Sequence, residues 1–266
     1  MKNLLTLLIL TLSAGASFGQ FDDKFYFPEK KWEAIKNLDY TEVTIPVEAE
    51  KLNGIFVKPA GTPKATIFYL HGGGGNVSTY VDLVRPLVKD GFQVFMIDFR
   101  GYGKSTGKPN HLNVGSDGQV VFDWLLKRKE VQLQPIILYG VSLGTPIATK
   151  LAHDNTPKVA ALVLDGTISS FGELAAFYVP EEQKAMVSQF VTSPYMAKED
   201  IKTVKIPKLF IATKTDKVVP YGQTEIVYDN APQPKELLIF EGEHIRSMMV
   251  QPEKTVEAVN RLLTNN

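Results

Sequence analysis

A single serine between two glycines constrains the fold of this chain more than any other feature. The apolar run 135–139 predicts a buried strand, the motif Gly140-Val141-Ser142-Leu143-Gly144 follows it, and 146–153 predicts a helix. A strand and a helix joined by a G-x-S-x-G turn hold the serine at the tip of a sharp bend, with its hydroxyl exposed above the sheet. Glycines suit this turn because side chains there would collide with the neighbouring strand and helix. We therefore predict that Ser142 is a nucleophile.

A glycine-rich loop supplies the second part of a candidate site. The apolar run 65–70 predicts a strand covered on both faces, and His71 and four glycines, 72–75, follow it directly. Consecutive glycines are entropically unfavourable unless the backbone takes an unusual path. Such a path can present N–H groups to a negatively charged oxygen, so we expect Gly73 and Leu143 to form an oxyanion hole. The alternative is a flexible turn; a phosphate-binding loop is excluded because no G-K-[ST] follows.

Two further residues complete a candidate catalytic set. Asp216 and His244 lie in the loops after the last two predicted strands, 207–213 and 236–240. A serine hydroxyl is a weak nucleophile at neutral pH, so it needs a base, and the base needs a carboxylate that orients it. The order Ser, Asp, His is the one expected after a turn of this kind. We predict His244 as the base and Asp216 as the carboxylate, with Asp165 as the alternative carboxylate because it also ends a predicted strand.

The rest of the pattern predicts an α/β fold with a mostly parallel, doubly wound sheet. Alternating stretches at 41–47 and 52–58 predict an antiparallel N-terminal hairpin, and buried strands then alternate with helices. No strand is predicted in 166–206, which we expect to form a short helical lid insertion. Its apolar residues either line an acyl pocket or pack the insertion onto the domain. Ligands bind such sheets at the carboxyl ends of the strands, where all the candidate residues fall.

Composition excludes several classes of protein. Lys and Arg total 29 and Asp and Glu total 29, without a basic run, so nucleic acid is not an expected partner. The absence of cysteine excludes disulfides, thiolate metal sites and a cysteine nucleophile. The predicted chemistry needs neither a metal nor an organic cofactor. The sequence does not indicate an oligomeric state.

The N-terminus is typical of a secretory signal peptide. An apolar run, 4–12, lies between a short positive start and small residues that end at Gly19. An uncleaved membrane anchor is the alternative, but this run is short for a bilayer span. We expect 1–19 to be a signal peptide and 20–266 to be one exported domain, periplasmic or extracellular, without a stable membrane span. The aromatic and charged segment 21–37 is expected to wrap the outside of this domain, without a chemical role.

Together these motifs resemble the alpha/beta-hydrolase superfamily, in its branch of small serine esterases, monoacylglycerol-lipase-like and serine-aminopeptidase-like proteins. The similarity covers roughly 52–263 and includes the loop 98–105 and the segment 215–220. It implies an acyl-enzyme mechanism, with the N–H of Gly73 in the oxyanion hole. Two departures concern Tyr139-Gly140, where many relatives have Gly-His, and Glu243, where many have glycine before the catalytic histidine.

The expected function is that of a serine hydrolase of carboxylic esters, acting on a small-molecule ester or on a short acyl or aminoacyl compound. An aminopeptidase of the same fold is the alternative. It needs an acidic residue for the amino group of its substrate, for which the insertion offers Glu173, Glu181 and Glu182. A non-catalytic binding protein on this scaffold is a third hypothesis. It would have lost a member of the catalytic set, and none is lost. A fourth hypothesis is a cofactor-free haloperoxidase, which would use the same residues to form a peracid.

Overall fold

A computed structural model describes residues 22–264, so the predicted signal peptide, 1–19, lies outside the described part. Within that part, eight strands form the main sheet in the order β1-β2-β4-β3-β5-β6-β7-β8. The strands are β1 (Asp39–Val47), β2 (Glu50–Lys58), β3 (Thr66–Leu70), β4 (Gln93–Ile97), β5 (Ile136–Val141), β6 (Ala161–Asp165), β7 (Lys208–Ala212) and β8 (Lys235–Ile239).

The strand directions confirm the predicted sheet. β1 pairs antiparallel with β2, and β2 pairs antiparallel with β4, whereas the remaining pairs are parallel. The strands β3 to β7 are buried along their whole length, which explains their continuous apolar sequences. The edge strand β1 alternates between exposed and buried residues over part of its length, as a strand with one solvated face does.

Helices cover both faces of this sheet. Nine α-helices lie within the described residues: α1 (Val77–Lys89), α2 (His111–Leu125), α3 (Gly144–Asp154), α4 (Phe171–Phe177), α5 (Glu181–Phe190), α6 (Ala197–Asp200), α7 (Tyr221–Asn230), α8 (Ser247–Val250) and α9 (Pro252–Thr264). Successive residues of β5 point into different cores: Leu138 packs with α2 and α3, whereas Ile137 and Tyr139 pack with α1 and α9. No helix in this part of the chain is both long and apolar enough for a membrane crossing.

The first two helices begin earlier than the apolar pattern predicts. Apolar periodicity alone places the first helix at 80–90, whereas α1 starts at Val77 because Asn76 caps it. The Asn76 side chain accepts a hydrogen bond from Ser78 N–H, and the Thr79 side chain closes a capping box. The second helix, α2, starts at His111 behind an equivalent cap. The caps therefore add one turn that apolar periodicity alone does not detect.

The segment between β6 and β7 carries α4, α5 and α6. Phe171 and Val187 belong to the main core on the side of α2 and α3. These two apolar residues of the insertion therefore pack it onto the domain, which is one of the two alternatives predicted for 166–206. Other side chains stay exposed, with Phe177 at 56% and Phe190 at 39%. The insertion is therefore packed onto the domain by one face and keeps aromatic groups at its outer surface.

Candidate active site

The turn after β5 is as tight as the two glycines suggest. A Cβ on Gly140 would lie 2.5 Å from the carbonyl oxygen of Gly144, and a Cβ on Gly144 would overlap the carbonyl oxygen of Leu70. Ser142 between them has a φ of +50°, in the left-handed region that residues other than glycine rarely adopt. Close backbone contact on both sides thus forces the serine to the tip of the bend.

Hydrogen bonds hold Ser142 in this conformation. Its N–H donates to the carbonyl oxygen of Asp165 at 2.8 Å, which ties the tip of the turn to the end of β6. Its own carbonyl oxygen accepts from Thr145 twice, from the N–H at 2.9 Å and from Oγ1 at 2.7 Å. The main chain of the serine is therefore fixed from both sides.

His244 and Asp216 form a buried pair. The distance between His244 Nδ1 and Asp216 Oδ2 is 2.6 Å, and the two side chains are 12% and 3% exposed. The other carboxylate oxygen, Oδ1, accepts from the N–H groups of Val218 and Val219, both at 2.8 Å. The carboxylate therefore holds the imidazole with the proton on Nδ1. His244 Nε2 is buried and has no hydrogen-bond partner among residues 22–264, so its lone pair is free to accept a proton.

The loop after β6 links the imidazole to the serine. A Cβ on Gly166 would lie 2.6 Å from His244 Cε1 and 3.1 Å from Nδ1, so the ring packs directly on this glycine. Gly166 follows Asp165, whose carbonyl oxygen accepts from Ser142. The structure thus brings Ser142, Asp216 and His244 to one edge of the sheet. Within the described residues no hydrogen bond joins Ser142 Oγ to His244 Nε2.

The backbone of His244 is strained on its C-terminal side. Ile245 has a φ of +53°, and this conformation is especially unfavourable for a β-branched side chain. The candidate nucleophile therefore has a left-handed backbone itself, and the candidate base is followed directly by a residue that has one.

The glycine-rich loop lies against the serine turn. A Cβ on Gly73 would be 3.8 Å from Leu143 Cβ, and one on Gly72 would be 3.3 Å from Ser142 Cβ. Neither the N–H of Gly73 nor that of Leu143 donates a hydrogen bond within residues 22–264. Two free N–H donors therefore lie on neighbouring segments beside the serine, the arrangement that an oxyanion hole requires.

His71 orients this loop. Its Nε2 accepts from Phe99 N–H at 3.2 Å, and its Nδ1 bonds the carbonyl oxygen of Gly72 at 2.7 Å, which assigns the proton to Nδ1. Burial lowers the pKa of His71 to about 4, so the ring stays neutral. Because C=O and N–H of a trans peptide point in opposite directions, the bond to Gly72 fixes the direction of the Gly73 N–H. His71 therefore supports the loop that carries the expected oxyanion donor.

Asp165, the alternative carboxylate, does not hydrogen-bond His244. Its Oδ2 accepts from Ser247 Oγ at 2.9 Å, and its Oδ1 has no partner among the described residues. Burial raises the pKa of Asp165 to about 7, although the Ser247 hydrogen bond and His244 act in the opposite direction. Of the two carboxylates, Asp216 is the one that orients the imidazole.

Of the three acidic residues that an aminopeptidase could use, two form ion pairs and one is exposed. Glu173 forms an ion pair with Lys198 Nζ at 2.5 Å and accepts a hydrogen bond from Ser169 Oγ. Burial alone would raise the pKa of Glu173, but the hydrogen bonds from Lys198 and Ser169 outweigh it and the pKa is lowered. Glu181 pairs with Lys184 on the surface of α5. Glu182 is exposed and keeps its carboxylate in solvent.

Buried charges away from this edge serve the fold. Lys208 Nζ, at the amino end of β7, donates to the carbonyl oxygens of Val204 and Ile206. Arg100 forms two hydrogen bonds with the Asp117 carboxylate. Within residues 22–264 no group of three His, Asp or Glu side chains is placed to hold a metal ion.

Comparison with known proteins identifies the family. The protein YfhR of Escherichia coli K12 is 32% identical over 230 residues, which are 84% of this chain and 78% of YfhR. A family model of the alpha/beta hydrolase fold matches residues 65–188. The chain belongs to the alpha/beta-hydrolase superfamily. This confirms the resemblance that the sequence motifs indicated.

Other members of the superfamily share the fold at lower identity. The alpha/beta hydrolase domain-containing protein WAV2 of Arabidopsis thaliana is 27% identical over 208 residues, which are 73% of this chain and 68% of WAV2. Among solved structures, the esterase Pf2001 of Pyrococcus furiosus superposes with a TM-score of 0.72 at 21% identity, covering 90% of this chain and 98% of the esterase. The two chains thus share the fold over most of their length.

One part of the site was not predicted from sequence. The segment that was expected to wrap the outside contacts the glycine-rich loop: Phe27 N–H donates to the carbonyl oxygen of Gly73 at 2.7 Å. Tyr102 Oη also donates to this oxygen, at 2.6 Å. Only the density of aromatic residues in the segment could have signalled burial, because the contact joins residues far apart in sequence.

Proposed function

We propose that this alpha/beta hydrolase is a serine hydrolase that cleaves carboxylic esters of small molecules through an acyl-enzyme. The observation that carries the proposal is the buried pair of His244 and Asp216, whose free Nε2 lies at the same edge as Ser142. A histidine that is oriented by a carboxylate and keeps an unbonded nitrogen is the base that a serine nucleophile needs.

The first half of the reaction forms the acyl-enzyme. Ser142 Oγ attacks the ester carbonyl carbon while His244 Nε2 takes the serine proton, and Asp216 stabilises the resulting imidazolium. The carbonyl π electrons move to oxygen, and the N–H groups of Gly73 and Leu143 stabilise that oxyanion. When the tetrahedral intermediate collapses, His244 returns the proton to the leaving alcohol and the acyl group stays on Ser142.

The second half regenerates the serine. Water loses a proton to His244 Nε2 and attacks the acyl carbon, which again places negative charge on the oxygen in the oxyanion hole. Collapse releases the carboxylic acid, and His244 gives the proton back to Ser142 Oγ. No metal or organic cofactor takes part in either half.

Position supports Leu143 as an oxyanion donor. It directly precedes α3, so its N–H lies at the helix N-terminus, where the aligned peptide dipoles favour negative charge. Removing one such donor from an oxyanion hole typically lowers kcat by about 10²–10³-fold. The two donors therefore supply a large share of the expected rate enhancement.

Esters are favoured over aminoacyl amides by the state of the acidic residues. A peptidase that releases N-terminal residues needs a carboxylate facing the amino group of its substrate. The Glu173 carboxylate is paired with Lys198 and the Glu181 carboxylate with Lys184, while Glu182 is exposed to solvent. The serine aminopeptidase remains the second outcome of the test below.

We further propose that the protein acts after export, in the periplasm or outside the cell. The support is the sequence of 1–19, with its positive start, apolar run and small residues before the cleavage position. Its expected partner is a small molecule and not a nucleic acid, since no run of basic residues is present.

Intact-mass labelling with a fluorophosphonate tests the proposal. We expect one adduct on the wild type and none on Ser142→Ala or His244→Ala. The matched control is Ser116→Ala, which removes an exposed serine of α2 and should label as the wild type does. A panel of p-nitrophenyl esters and aminoacyl p-nitroanilides then assigns the substrate class. A folded wild type that takes up no label would contradict the serine mechanism.

A further inference from the structure

An N-terminal strap, residues 22–33, runs along the carboxyl edge of the sheet. Phe27 and Pro28 pair in parallel with Gly74 and Gly75 of the glycine-rich loop. Phe27 N–H donates to the carbonyl oxygen of Gly73 at 2.7 Å, and Glu29 N–H donates to that of Gly75 at 3.1 Å. The strap is therefore a partner strand of the loop that carries the proposed oxyanion donor.

The strap is tied down on the side of α1. The Asn76 side chain donates to the carbonyl oxygens of Glu29 at 3.0 Å and Lys31 at 2.8 Å. Glu33 N–H donates to Ser78 Oγ at 2.9 Å. The residues that cap α1 therefore also hold the strap.

The strap is held at its start by a buried histidine. The hydroxyl of Tyr26 bonds His111 Nδ1 at 2.9 Å, and His111 N–H donates to Asp22 Oδ2 at 3.2 Å. Burial lowers the pKa of His111 to about 3, so its ring is neutral and packs as an aromatic group. With both ends anchored, the residues between them have a fixed position.

Phe25 lies between these anchors and points into the molecule. Its half-buried ring meets Phe171 edge to face, with ring centres 5.4 Å apart, and meets His111 in the same way at 5.0 Å. It also packs against a small apolar cluster formed by Ile168, Leu174, Val219 and Tyr178.

Three parts of the proposed active site border this cluster. Val219 N–H donates to Asp216 Oδ1, so the cluster meets the loop of the catalytic carboxylate. Ile168 N–H donates to Thr145 Oγ1, which itself donates to the carbonyl oxygen of Ser142.

The third part is the glycine-rich loop. The carbonyl oxygen of Phe25 would lie 2.5 Å from a Cβ on Gly73, so only glycine fits beside the strap. Tyr178 closes the outer side by donating to the carbonyl oxygen of Val218.

We propose that Phe25 closes the acyl side of the active site and thereby sets the length of acyl chain that the enzyme accepts. This inference rests on the proposed ester hydrolysis. In that reaction the leaving oxygen must face His244 Nε2 to receive its proton, and the carbonyl oxygen must face Gly73 and Leu143. The acyl chain therefore leaves on the remaining side, which we assign to Phe25 and its apolar cluster because they border the loops of Ser142, Asp216 and Gly73. The substrates of the enzyme are therefore esters with short acyl chains.

Acyl-chain profiles of matched variants test this role. The values of kcat/KM are measured for p-nitrophenyl acetate, butyrate, hexanoate and octanoate with the wild type, Phe25→Ala, Phe25→Trp and Phe177→Ala. We expect the wild type to prefer acetate or butyrate. Phe25→Ala should raise the ratio of octanoate to acetate by about tenfold or more, since a few methylenes in an apolar pocket discriminate by such factors. Phe177→Ala removes an exposed phenyl ring of α4 and should leave the ratio within about twofold.

Phe25→Trp keeps the aromatic contacts and adds volume, so it should lower the ratio of butyrate to acetate. Phe25→Trp also tests the proposal if Phe25→Ala does not fold. Far-ultraviolet circular dichroism and the rate of fluorophosphonate labelling show whether each variant is folded. If kcat/KM changes by the same factor for all four esters in both folded variants, the specificity role is overturned and Phe25 is a packing residue. A wild type that hydrolyses no ester and takes up no label would instead contradict the proposed function itself.

Discussion

The two carboxylates at the carboxyl edge have different surroundings, although Asp165 ends β6 and Asp216 follows the neighbouring strand β7. Asp216 receives three hydrogen bonds, two from backbone N–H groups and one from His244. Asp165 receives one, from Ser247, and its burial raises the pKa to about 7. Paired groups whose environments differ in this way generally have different roles. Asp216 is placed to orient the proposed base, whereas burial raises the pKa of Asp165 towards neutrality.

Exchanging each carboxylate for an amide separates these roles. Asp216→Asn presents an N–H₂ group to His244 and destabilises the productive tautomer, so kcat should fall by about 10³–10⁴-fold. Asp165→Asn keeps an acceptor for Ser247 and should change kcat by less than about tenfold. Steady-state ester hydrolysis at pH 8 measures both, with circular dichroism as the control for folding. A loss of kcat at position 165 as large as that at 216 would reassign the catalytic carboxylate.

At this scale the sequence predicts the identity of the groups better than their partners. Motif and chain order identify Ser142, Asp216 and His244 as candidates, because the G-x-S-x-G turn restricts what can follow it. Asp165 ends one predicted strand and Asp216 lies in the loop after the next, and it is the hydrogen bond to His244 that distinguishes them in space. Similarly, the role of His71 depends on a tautomer that its contacts assign.

The insertion is fastened to the domain by a polar network at one end. Ser169 N–H donates to Gln223 Oε1 at 3.1 Å, and the Asn230 side chain donates to the carbonyl oxygen of Lys198 at 2.8 Å. The ion pair between Lys198 and Glu173 links these two contacts. Helices α4 and α6 are thereby joined to α7, whereas α5 pairs its own charges on the surface.

Breaking the ion pair should loosen these helices. Glu173→Gln leaves the half-buried Lys198 without its anion, so the free energy of local opening should fall by about 1 kcal/mol, or roughly fivefold in hydrogen exchange. Hydrogen–deuterium exchange of peptides covering 167–200 measures this change. Glu181→Gln is the matched control, because Glu181 is 85% exposed and should give no change. If Glu173 instead binds a substrate amino group, the variant raises KM for aminoacyl amides and leaves the exchange unaltered.

Elements are predicted well where their signal is local. The continuous apolar strands and the helix-forming segments between them follow from neighbouring residues, and their positions agree with the structure to within a few residues. The early start of α1 depends on the capping box of Asn76 and Thr79, which apolar periodicity does not detect. The strap was assigned no chemistry because its pairing with Gly74 and Gly75 spans many residues of sequence.

The order of strands brings the site together. The glycine-rich loop follows β3, the serine turn follows β5, and Gly166, Asp216 and His244 come after β6, β7 and β8. These five strands are consecutive neighbours in the sheet. Parallel strands place all five loops at one edge, so residues far apart in sequence meet. Sequence alone does not give this order, because β4 follows β3 in the chain but lies between β2 and β3 in the sheet.

Buried titratable groups give the whole molecule opposing pH dependences. His71 and His111 have folded-state pKa values of about 4 and about 3, below the ordinary value of 6.5. Their contribution to stability is fully present above pH 6.5 and is lost as the pH falls through the folded values. Asp165 has a folded-state pKa of about 7, above its ordinary value of 3.8. Its contribution is fully present below pH 3.8 and is lost as the pH rises through 7.

Replacing one of these titratable groups measures its contribution to the pH dependence of the free energy of unfolding. Asp165→Asn cannot ionise, so the variant should gain stability relative to the wild type as the pH rises from 5 to 8, by up to about 3 kcal/mol. Urea unfolding at both pH values measures the free energy of unfolding of each protein. Asp123→Asn, an exposed carboxylate of α2, should show no such relative change. A pH-independent difference between Asp165→Asn and the wild type would show that Asp165 does not titrate in this range.

The left-handed backbone at Ser142 lowers the stability of the folded chain at the position of the proposed nucleophile. A residue other than glycine in this conformation is less stable by about 1–2 kcal/mol, and glycine relieves most of that penalty. Selection for heat resistance alone would therefore enrich glycine at position 142, which removes the hydroxyl of the proposed nucleophile. Ile245, which follows the proposed base, also has a left-handed backbone, with φ at +53°. The same selection would therefore favour glycine there. Any library built on this scaffold has to be screened for turnover and melting temperature together.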